Sequence, residues 1–185
     1  MKTALRNSFE KARTNYPDSK PAIEELEAQV ERHTRTPKFH VFIEGISWRE
    51  HRDYGVWAYS IFNANADILT TLPRLSIHGS VQRTTRNRID LMAAINAIEA
   101  LPSGVEVRIY TDSEYLYKNF IRSRKKWVEN NWKTQSGSEV ANKDLWLQLM
   151  AAMFKLSRFR WELTDRHSLR AAFRYQHWLL EKPET

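Results

Sequence analysis

Apolar residues change their spacing several times along the chain, and the order of these changes limits the folds open to it. Residues 39–43 form a strand-like apolar run, and residues 54–62 are rich in aromatic and β-branched side chains. Residues 68–81 indicate a third, less regular strand. Residues 87–101 then switch to helical spacing and end at a Pro-Ser-Gly turn. We therefore expect three strands followed by a helix.

The second half of the chain continues with two more strands. Residues 105–110 alternate apolar and polar side chains, and residues 158–163 alternate charged and apolar ones. Helices are predicted at about 113–121, 124–130, 142–155 and 168–180. This order predicts an α/β fold, in which the helix after the third strand allows strands one and four to be parallel neighbours.

Residues 1–37 are predicted to be a partly helical N-terminal extension, and residues 38–185 the main domain. Prolines punctuate the extension, and residues 22–32 combine apolar side chains at helical spacing with an acidic surface. That helix either docks on the main domain or binds a protein partner. The basic residues of segment 1–16 are typical of a short amphipathic helix and also of an organelle transit peptide.

Charge and cysteine content narrow the classes of function. The chain has 29 Lys and Arg against 22 Asp and Glu, a net charge of +7, which favours a polyanionic partner such as nucleic acid. It has no cysteine, so disulfides and thiolate metal sites are excluded. No segment is apolar enough to predict a membrane span. We expect no membrane association and a cytoplasmic location.

Three acidic residues stand where a catalytic site would form. Glu44 and Asp112 follow the apolar residues of strands one and four, and Asp90 lies near the start of an apolar helix. If the two strands are neighbours, these carboxylates repel each other unless a cation lies between them. Mg²⁺ takes oxygen ligands, and two such ions can promote phosphodiester cleavage.

Each acid also has a purely structural interpretation. Asp112 could cap the helix that begins near Ser113, and Asp90 could lie near a helix N-terminus because the helix dipole favours it there. Glu44 could be a solvated strand end. Spacing alone leaves both interpretations open.

At these residues the chain resembles the type 1 ribonuclease H family, over residues 39–181. The matching segments, in order, are 84–94 (TTRNRIDLMAA), 110–115 (YTDSEY), 132–134 (WKT), 142–146 (NKDLW) and 161–162 (WE). The resemblance implies the ribonuclease H-like fold, a five-stranded mixed sheet with strand two antiparallel, flanked by helices. It also implies cleavage of the RNA strand of an RNA/DNA hybrid with Mg²⁺ or Mn²⁺, using two ions.

Carried over position by position, the family's four metal-binding acids correspond to Glu44, Asp90, Asp112 and His177. The first two have exchanged lengths relative to the family's Asp and Glu. A histidine at 177 suits softer ions than Mg²⁺ and favours Mn²⁺. His167 resembles the family's histidine that aids proton transfer or product release. Residues 47–53 replace a glycine-rich turn with a bulkier, more basic segment.

The resemblance further implies two surfaces that hold the hybrid. A basic protrusion would grip the DNA strand through phosphate contacts, and its residues are Arg122, Arg124, Lys125, Lys126, Trp127, Trp132 and Lys133. The tryptophans either anchor this protrusion or pack against sugars. Thr84, Arg86, Asn87 and Glu114 match positions that contact the minor groove and phosphates, although Arg86 replaces a commoner Asn. Such contacts follow groove shape and 2′-hydroxyls more than base identity.

These observations leave three functional hypotheses. The leading one is a metal-dependent hydrolase of the RNA strand of hybrids. The second is a hybrid- or duplex-binding module whose altered acids no longer cut. The third is an accessory role in a larger assembly, with residues 22–32 as the contact.

Overall fold

The computed structural model describes residues 37–47, 54–67 and 71–173. Three strands come first: β1 (Phe39–Ser47), β2 (Tyr54–Asn63) and β3 (Leu75–Gln82). Helix α1 (Arg86–Glu99) and strand β4 (Glu106–Thr111) follow. The remaining elements are α2 (Glu114–Lys118), a π-helical turn (Asn119–Ser123), α3 (Arg124–Glu129), α4 (Lys143–Met153), β5 (Arg158–Leu163) and α5 (Arg166–Ala172).

The five strands form one mixed sheet in the order β3-β2-β1-β4-β5. β2 is antiparallel to both β1 and β3, whereas β4 is parallel to β1 and to β5. The parallel pairing of strands one and four and the antiparallel second strand are therefore confirmed. The crossover from β3 to β4 contains α1, as the apolar spacing predicted.

The core has two parts, one on each face of the sheet. Alternate β1 residues Phe39, Val41 and Ile43 pack with the buried side of α1 and with α4. Phe42, on the other face, packs with β2 and with residues of α5. Because both faces are covered, the middle of β1 is apolar at consecutive positions, Val41, Phe42 and Ile43, rather than at every second one.

Helix α1 forms where apolar residues at helical spacing follow an N-cap residue. The Thr85 hydroxyl accepts a hydrogen bond from the Arg88 backbone N–H, so Thr85 is the N-cap. Leu91, Ile95 and Ile98, predicted to share one face, are all buried. Small alanines between them let the helix lie close against the sheet.

Several predicted boundaries shift. The third strand begins at Leu75 rather than 68, and Pro73, which has no N–H to donate to a ladder, stands just before it. The predicted helix 113–121 is a short α-helix that widens into the π-helical turn. The predicted helix 22–32, the segment 48–53, and the last predicted helix beyond residue 173 lie outside the described residues.

All described residues fall in one compact unit of the chain. The division into an extension, 1–37, and a main domain, 38–185, stays a prediction. No helix in the described part of the chain is long and apolar enough to cross a membrane.

Candidate active site

Parallel pairing places Glu44 beside Asp112. The β1–β4 ladder ends with Ile43 opposite Thr111, so the next position on each strand is Glu44 and Asp112. β1 itself runs on to Ser47, because its pairing with β2 continues past the end of the β4 ladder. Glu44 therefore follows the end of the parallel ladder but still lies within the strand, and it is 2% exposed. The interpretation of Glu44 as a solvated strand end is wrong.

Asp90 comes from helix α1, and we call the region of Glu44, Asp90 and Asp112 the acidic edge. It occupies the second turn of the helix and is buried. A methyl group at Gly45 would overlap Asp90 Oδ1 and lie 2.9 Å from Ile89 Cγ2. The missing side chain at position 45 thus lets the Asp90 carboxylate lie directly on β1 at Gly45.

One guanidinium joins Asp90 to Asp112. Arg86 Nε donates to Asp90 Oδ1 at 2.9 Å, and Arg86 Nη2 donates to Asp112 Oδ1 at 3.3 Å. A second cation lies on the far side, where Arg166 Nε is 3.3 Å from Asp112 Oδ2. Both carboxylate oxygens of Asp112 therefore face an arginine.

Burial dominates the electrostatics of Asp90. It raises the pKa of this carboxyl above its ordinary value, and the negative charge of Asp112 acts in the same direction. Arg86 and a hydrogen bond from the Ser113 hydroxyl lower the pKa of Asp90 and offset part of the rise. Ser113 also caps α2, accepting from the Leu116 N–H at 3.2 Å. The interpretation of Asp112 as the cap of this helix is therefore wrong.

The oxygen donors of this edge suit a hard divalent cation, but the acidic side chains around Arg86 are not arranged about a single metal position. Glu44, Asp90 and Asp112 offer only carboxylate oxygens, which Mg²⁺ and Mn²⁺ accept. Among residues 37–47, 54–67 and 71–173, no three acidic or histidine side chains are placed to hold a metal ion. Arg86 is a cation already bound to two of the three acids. The Arg86 guanidinium supplies the positive charge that offsets the repulsion between Asp90 and Asp112.

Two predicted site histidines cannot be placed. His177 lies outside the described residues, and so does residue range 48–53 after Glu44. His167 lies in α5, but its side chain is also outside what the structure describes. Their roles stay predictions.

The predicted basic protrusion contains two kinds of residue. Arg122, Lys125, Lys126 and Lys133 are exposed. Arg124 is instead partly buried: its guanidinium lies 4.3 Å from the Phe120 ring centroid and donates to the Phe120 carbonyl. Burial lowers the pKa of Arg124. Arg124 is thus engaged within the protein, while the other four cations face solvent.

The two tryptophans of this region pack inward. The ring centroids of Trp127 and Trp132 are 6.0 Å apart, and those of Trp127 and Trp146 are 5.3 Å apart. Both pack against the main core. Of the two alternatives, the contacts favour an anchor for the protrusion over a surface for sugars.

The predicted groove contacts belong to the start of α1 and to α2. Thr84 and Asn87 are half-buried, and Glu114 is exposed and pairs with Lys118 at 2.5 Å. Within the described part of the chain, the Thr84 hydroxyl is buried and has no hydrogen-bond partner. Buried hydroxyls usually have such a partner, so the Thr84 hydroxyl is an exception to that rule.

A polar network behind the site accounts for other matched residues. Arg88 donates to both Asp144 oxygens, at 2.9 and 2.7 Å, and tightens α1 against the start of α4. Asn142 Nδ2 and Trp146 Nε1 both donate to the Tyr115 hydroxyl at 3.1 Å. These residues fix the relative positions of α1, α2 and α4.

Sequence reasoning missed Arg166 and Ser113. Both lie beside residues that it identified, Ser113 after Asp112 and Arg166 before His167. The parallel register of β4 and β5, which ends with Thr111 opposite Leu163, brings the segment after β5 alongside Asp112. Applying that register would have found Arg166.

Comparison with known proteins agrees with this architecture. The model of the family described as RNase H matches residues 36–171. The Ribonuclease H of Dechloromonas aromatica (strain RCB) is 43% identical over 90 residues, which cover 49% of this chain and 60% of that protein. The Ribonuclease H of Hahella chejuensis (strain KCTC 2396) is 44% identical over 73 residues, 40% of this chain and 49% of that protein. The aligned part thus spans about half the length of these relatives, or slightly more.

Solved structures share the fold at low sequence identity. LC9-RNase H1, described as a type 1 RNase H with the type 2 active-site motif, superposes with a TM-score of 0.61 at 24% identity, covering 78% of this chain and 71% of that one. RNase H1 from Halobacterium salinarum NRC-1 gives 0.52 at 15% identity, with 74% and 92% coverage. Since the family match covers well over half of the chain and the sheet has the expected order, this protein belongs to the RNase H family.

Proposed function

We propose that this chain is a metal-dependent endonuclease that hydrolyses the RNA strand of RNA/DNA hybrids. The observation that carries the proposal is the Asp90–Asp112 pair, which comes from two separate elements and shares one cationic partner. Two neighbouring carboxylates repel each other, and a cation bound to both offsets that repulsion. Family membership supports a hybrid as the substrate.

Glu44, Asp90 and Asp112 are the proposed metal ligands, with His177 as a fourth. When bound, two Mg²⁺ or Mn²⁺ ions would supply an activated water and stabilise the leaving oxygen. The chain itself would orient the ligands: Ser113 holds the Asp90 carboxyl, and Gly45 lets it reach β1. We further propose that His167 assists proton transfer or product release.

Two surfaces would hold the hybrid. The exposed cations Arg122, Lys125, Lys126 and Lys133 would neutralise phosphates of the DNA strand. Thr84 and Asn87 would contact the minor groove, where 2′-hydroxyls distinguish RNA from DNA. None of these contacts reads a base edge in the major groove, so we expect little sequence preference.

Cleavage of a labelled hybrid tests the proposal. The full chain should cut the RNA strand of a hybrid with Mg²⁺ or Mn²⁺, leave a 5′-phosphate product, and spare duplex DNA of the same sequence. Asp112→Asn should abolish turnover with little loss of hybrid affinity in EDTA. The matched control Asp144→Asn removes an acid paired with Arg88, outside the site, and should still cut. Equal cleavage by wild type and Asp112→Asn would refute the proposed role of Asp112.

A binding module without nuclease activity is the second candidate. It rests on the departures from the family's metal-binding acids at Glu44, Asp90 and His177. Hybrid binding that persists while neither Mg²⁺ nor Mn²⁺ supports cleavage at any tested concentration would establish this candidate. An accessory role through residues 22–32 and a cytoplasmic location stay predictions from the sequence.

A further inference from the structure

Arg86 occupies an unusual position for a residue expected to contact nucleic acid. Its guanidinium points into the acidic edge, bonded to Asp90 Oδ1 at 2.9 Å and to Asp112 Oδ1 at 3.3 Å. The two aspartate side chains are 5% and 12% exposed, whereas that of Arg86 is 30% exposed. The guanidinium is therefore the cation through which these two carboxylates are held together, and it retains a path to solvent.

The same oxygens cannot serve Arg86 and a divalent metal equally well. A metal ion bound by Asp90 and Asp112 would lie close to the guanidinium, and like charges at such a distance repel each other. The Arg86 side chain relieves this repulsion by moving away from the two carboxylates.

Arg166 is a second cation beside Asp112, but it does not bridge Asp112 to Asp90 as Arg86 does. Its Nε lies 3.3 Å from Asp112 Oδ2, but its side chain is 49% exposed, and among the described residues it pairs with Asp112 and not with Asp90. An exposed ion pair of this kind is screened by water and salt. The partly buried Arg86, which bonds both acids, is the stronger competitor.

We propose that Arg86 is a built-in counter-cation that divalent metal must displace, so that it sets the metal concentration at which the site fills. This inference rests on the metal site of the proposed function. In the metal-free protein, Arg86 neutralises the Asp90–Asp112 pair and stabilises the fold. In the metal-loaded protein, its side chain moves out towards the nucleic-acid surface, where a second anion, the substrate phosphate, is available to it.

Metal binding without nucleic acid tests the proposal. Wild type, Arg86→Gln and Arg88→Gln are compared as full chains by isothermal titration calorimetry with MgCl₂ and with MnCl₂. Arg88→Gln is the matched control because it removes the same charge from the same helix, two residues away, from a guanidinium bound to Asp144. Arg86→Gln should bind metal about tenfold more tightly than wild type, from the repulsion removed, and Arg88→Gln should bind like wild type.

Thermal unfolding gives a second measurement on the same proteins. In EDTA, Arg86→Gln should unfold at a lower Tm than wild type, because the two acids lose their counter-cation. Added Mn²⁺ should raise its Tm more than it raises that of wild type or of Arg88→Gln. Arg86→Lys keeps the charge but cannot bridge two carboxylates with a planar fork, so its metal affinity should fall between those of wild type and Arg86→Gln.

The outcomes separate this inference from the proposed function. Metal affinity that is equal or weaker in Arg86→Gln than in wild type overturns the counter-cation role, whether or not hybrids are cut. An equal gain in Arg86→Gln and Arg88→Gln also overturns it, since the effect would then be general charge removal. If none of the proteins binds metal, the metal site and the proposed function are both wrong.

Discussion

Gly45 decides how close the site's helix comes to its central strand. Asp90 and Ile89 both lie where a side chain at position 45 would stand. Gly45 lies two residues after Ile43, where the β1–β4 ladder ends. The contact of Asp90 with Gly45 therefore brings this acid of α1 to the end of the parallel ladder. A single missing methyl group thus links the packing of α1 to the geometry of the site.

Gly45→Ala should therefore impair both stability and cleavage. The added methyl group displaces Asp90 and Ile89, and we expect a loss of about 1–3 kcal/mol in the free energy of unfolding, as for other overpacked positions. Gly104→Ala is the control: a methyl group there meets no atom within 4 Å, but its φ of +74° is costly for alanine. Urea unfolding and hybrid cleavage should show that only Gly45→Ala loses activity. Full cleavage by a folded Gly45→Ala would contradict this account.

At the scale of elements, the patterns that are local in sequence were the predictable ones. β5 was predicted at its observed bounds, because alternation and strand length are both visible along the chain. The π-helical turn was not, because apolar spacing does not reveal a change in backbone hydrogen bonding. Asp90 and Asp112 were predicted to meet, but the arginine between them was not, since Arg86 was assigned to the substrate by resemblance.

Strands β1 and β4 bring His40 and Tyr110 together, and His40 has a shifted pKa. His40 Nδ1 lies 2.9 Å from the Tyr110 hydroxyl, and the two rings stack. Burial, and then the charge of Arg108, lower the pKa of His40, while a backbone hydrogen bond with Ala64 raises it slightly. Below the ordinary histidine pKa the unfolded chain takes up this proton more readily than the folded one. Protonation of His40 therefore lowers the free energy of unfolding as the pH falls.

His40→Gln should flatten the pH dependence of stability. The free energy of unfolding of wild type, measured with urea between about pH 8 and pH 5, should fall more steeply with decreasing pH than that of the variant. The remaining histidines are the same in both proteins and so cancel from the comparison. Parallel pH profiles for the two proteins would show that His40 titrates as it does in the unfolded chain.

The exposed cations of the protrusion should act through phosphates rather than through the fold. Changing Lys125, Lys126 and Lys133 to Ala should weaken hybrid binding and reduce the slope of log affinity against log salt by up to about one for each phosphate that is no longer neutralised. Fluorescence anisotropy at several salt concentrations measures this slope. Lys155→Ala is the control, because Lys155 donates instead to the Glu99 carbonyl at the end of α1. An unchanged slope in the triple variant would remove this surface from substrate binding.

At the scale of the whole molecule, the described residues contain both halves of the core and all five strands of the sheet. Three of the proposed metal ligands and the exposed protrusion belong to the same unit. The net positive charge of the full chain, +7, suits a polyanionic substrate. We infer that this unit carries the proposed activity.

Deleting residues 1–36 should thus leave hybrid cleavage within about threefold of the full chain, a change of less than about 1 kcal/mol in activation free energy. Cleavage rates and size-exclusion chromatography with light scattering, run on both proteins, would check the rate and the oligomeric state. A large loss of activity together with a change in oligomeric state would favour the accessory hypothesis instead.

The most direct test of the central claim is the position of a bound metal ion. In crystals grown with Mn²⁺, the anomalous difference map should place an ion between the carboxylates of Glu44, Asp90 and Asp112, with Arg86 turned away from Asp90. An anomalous peak elsewhere, with Arg86 still bridging Asp90 and Asp112 at saturating Mn²⁺, would contradict the account.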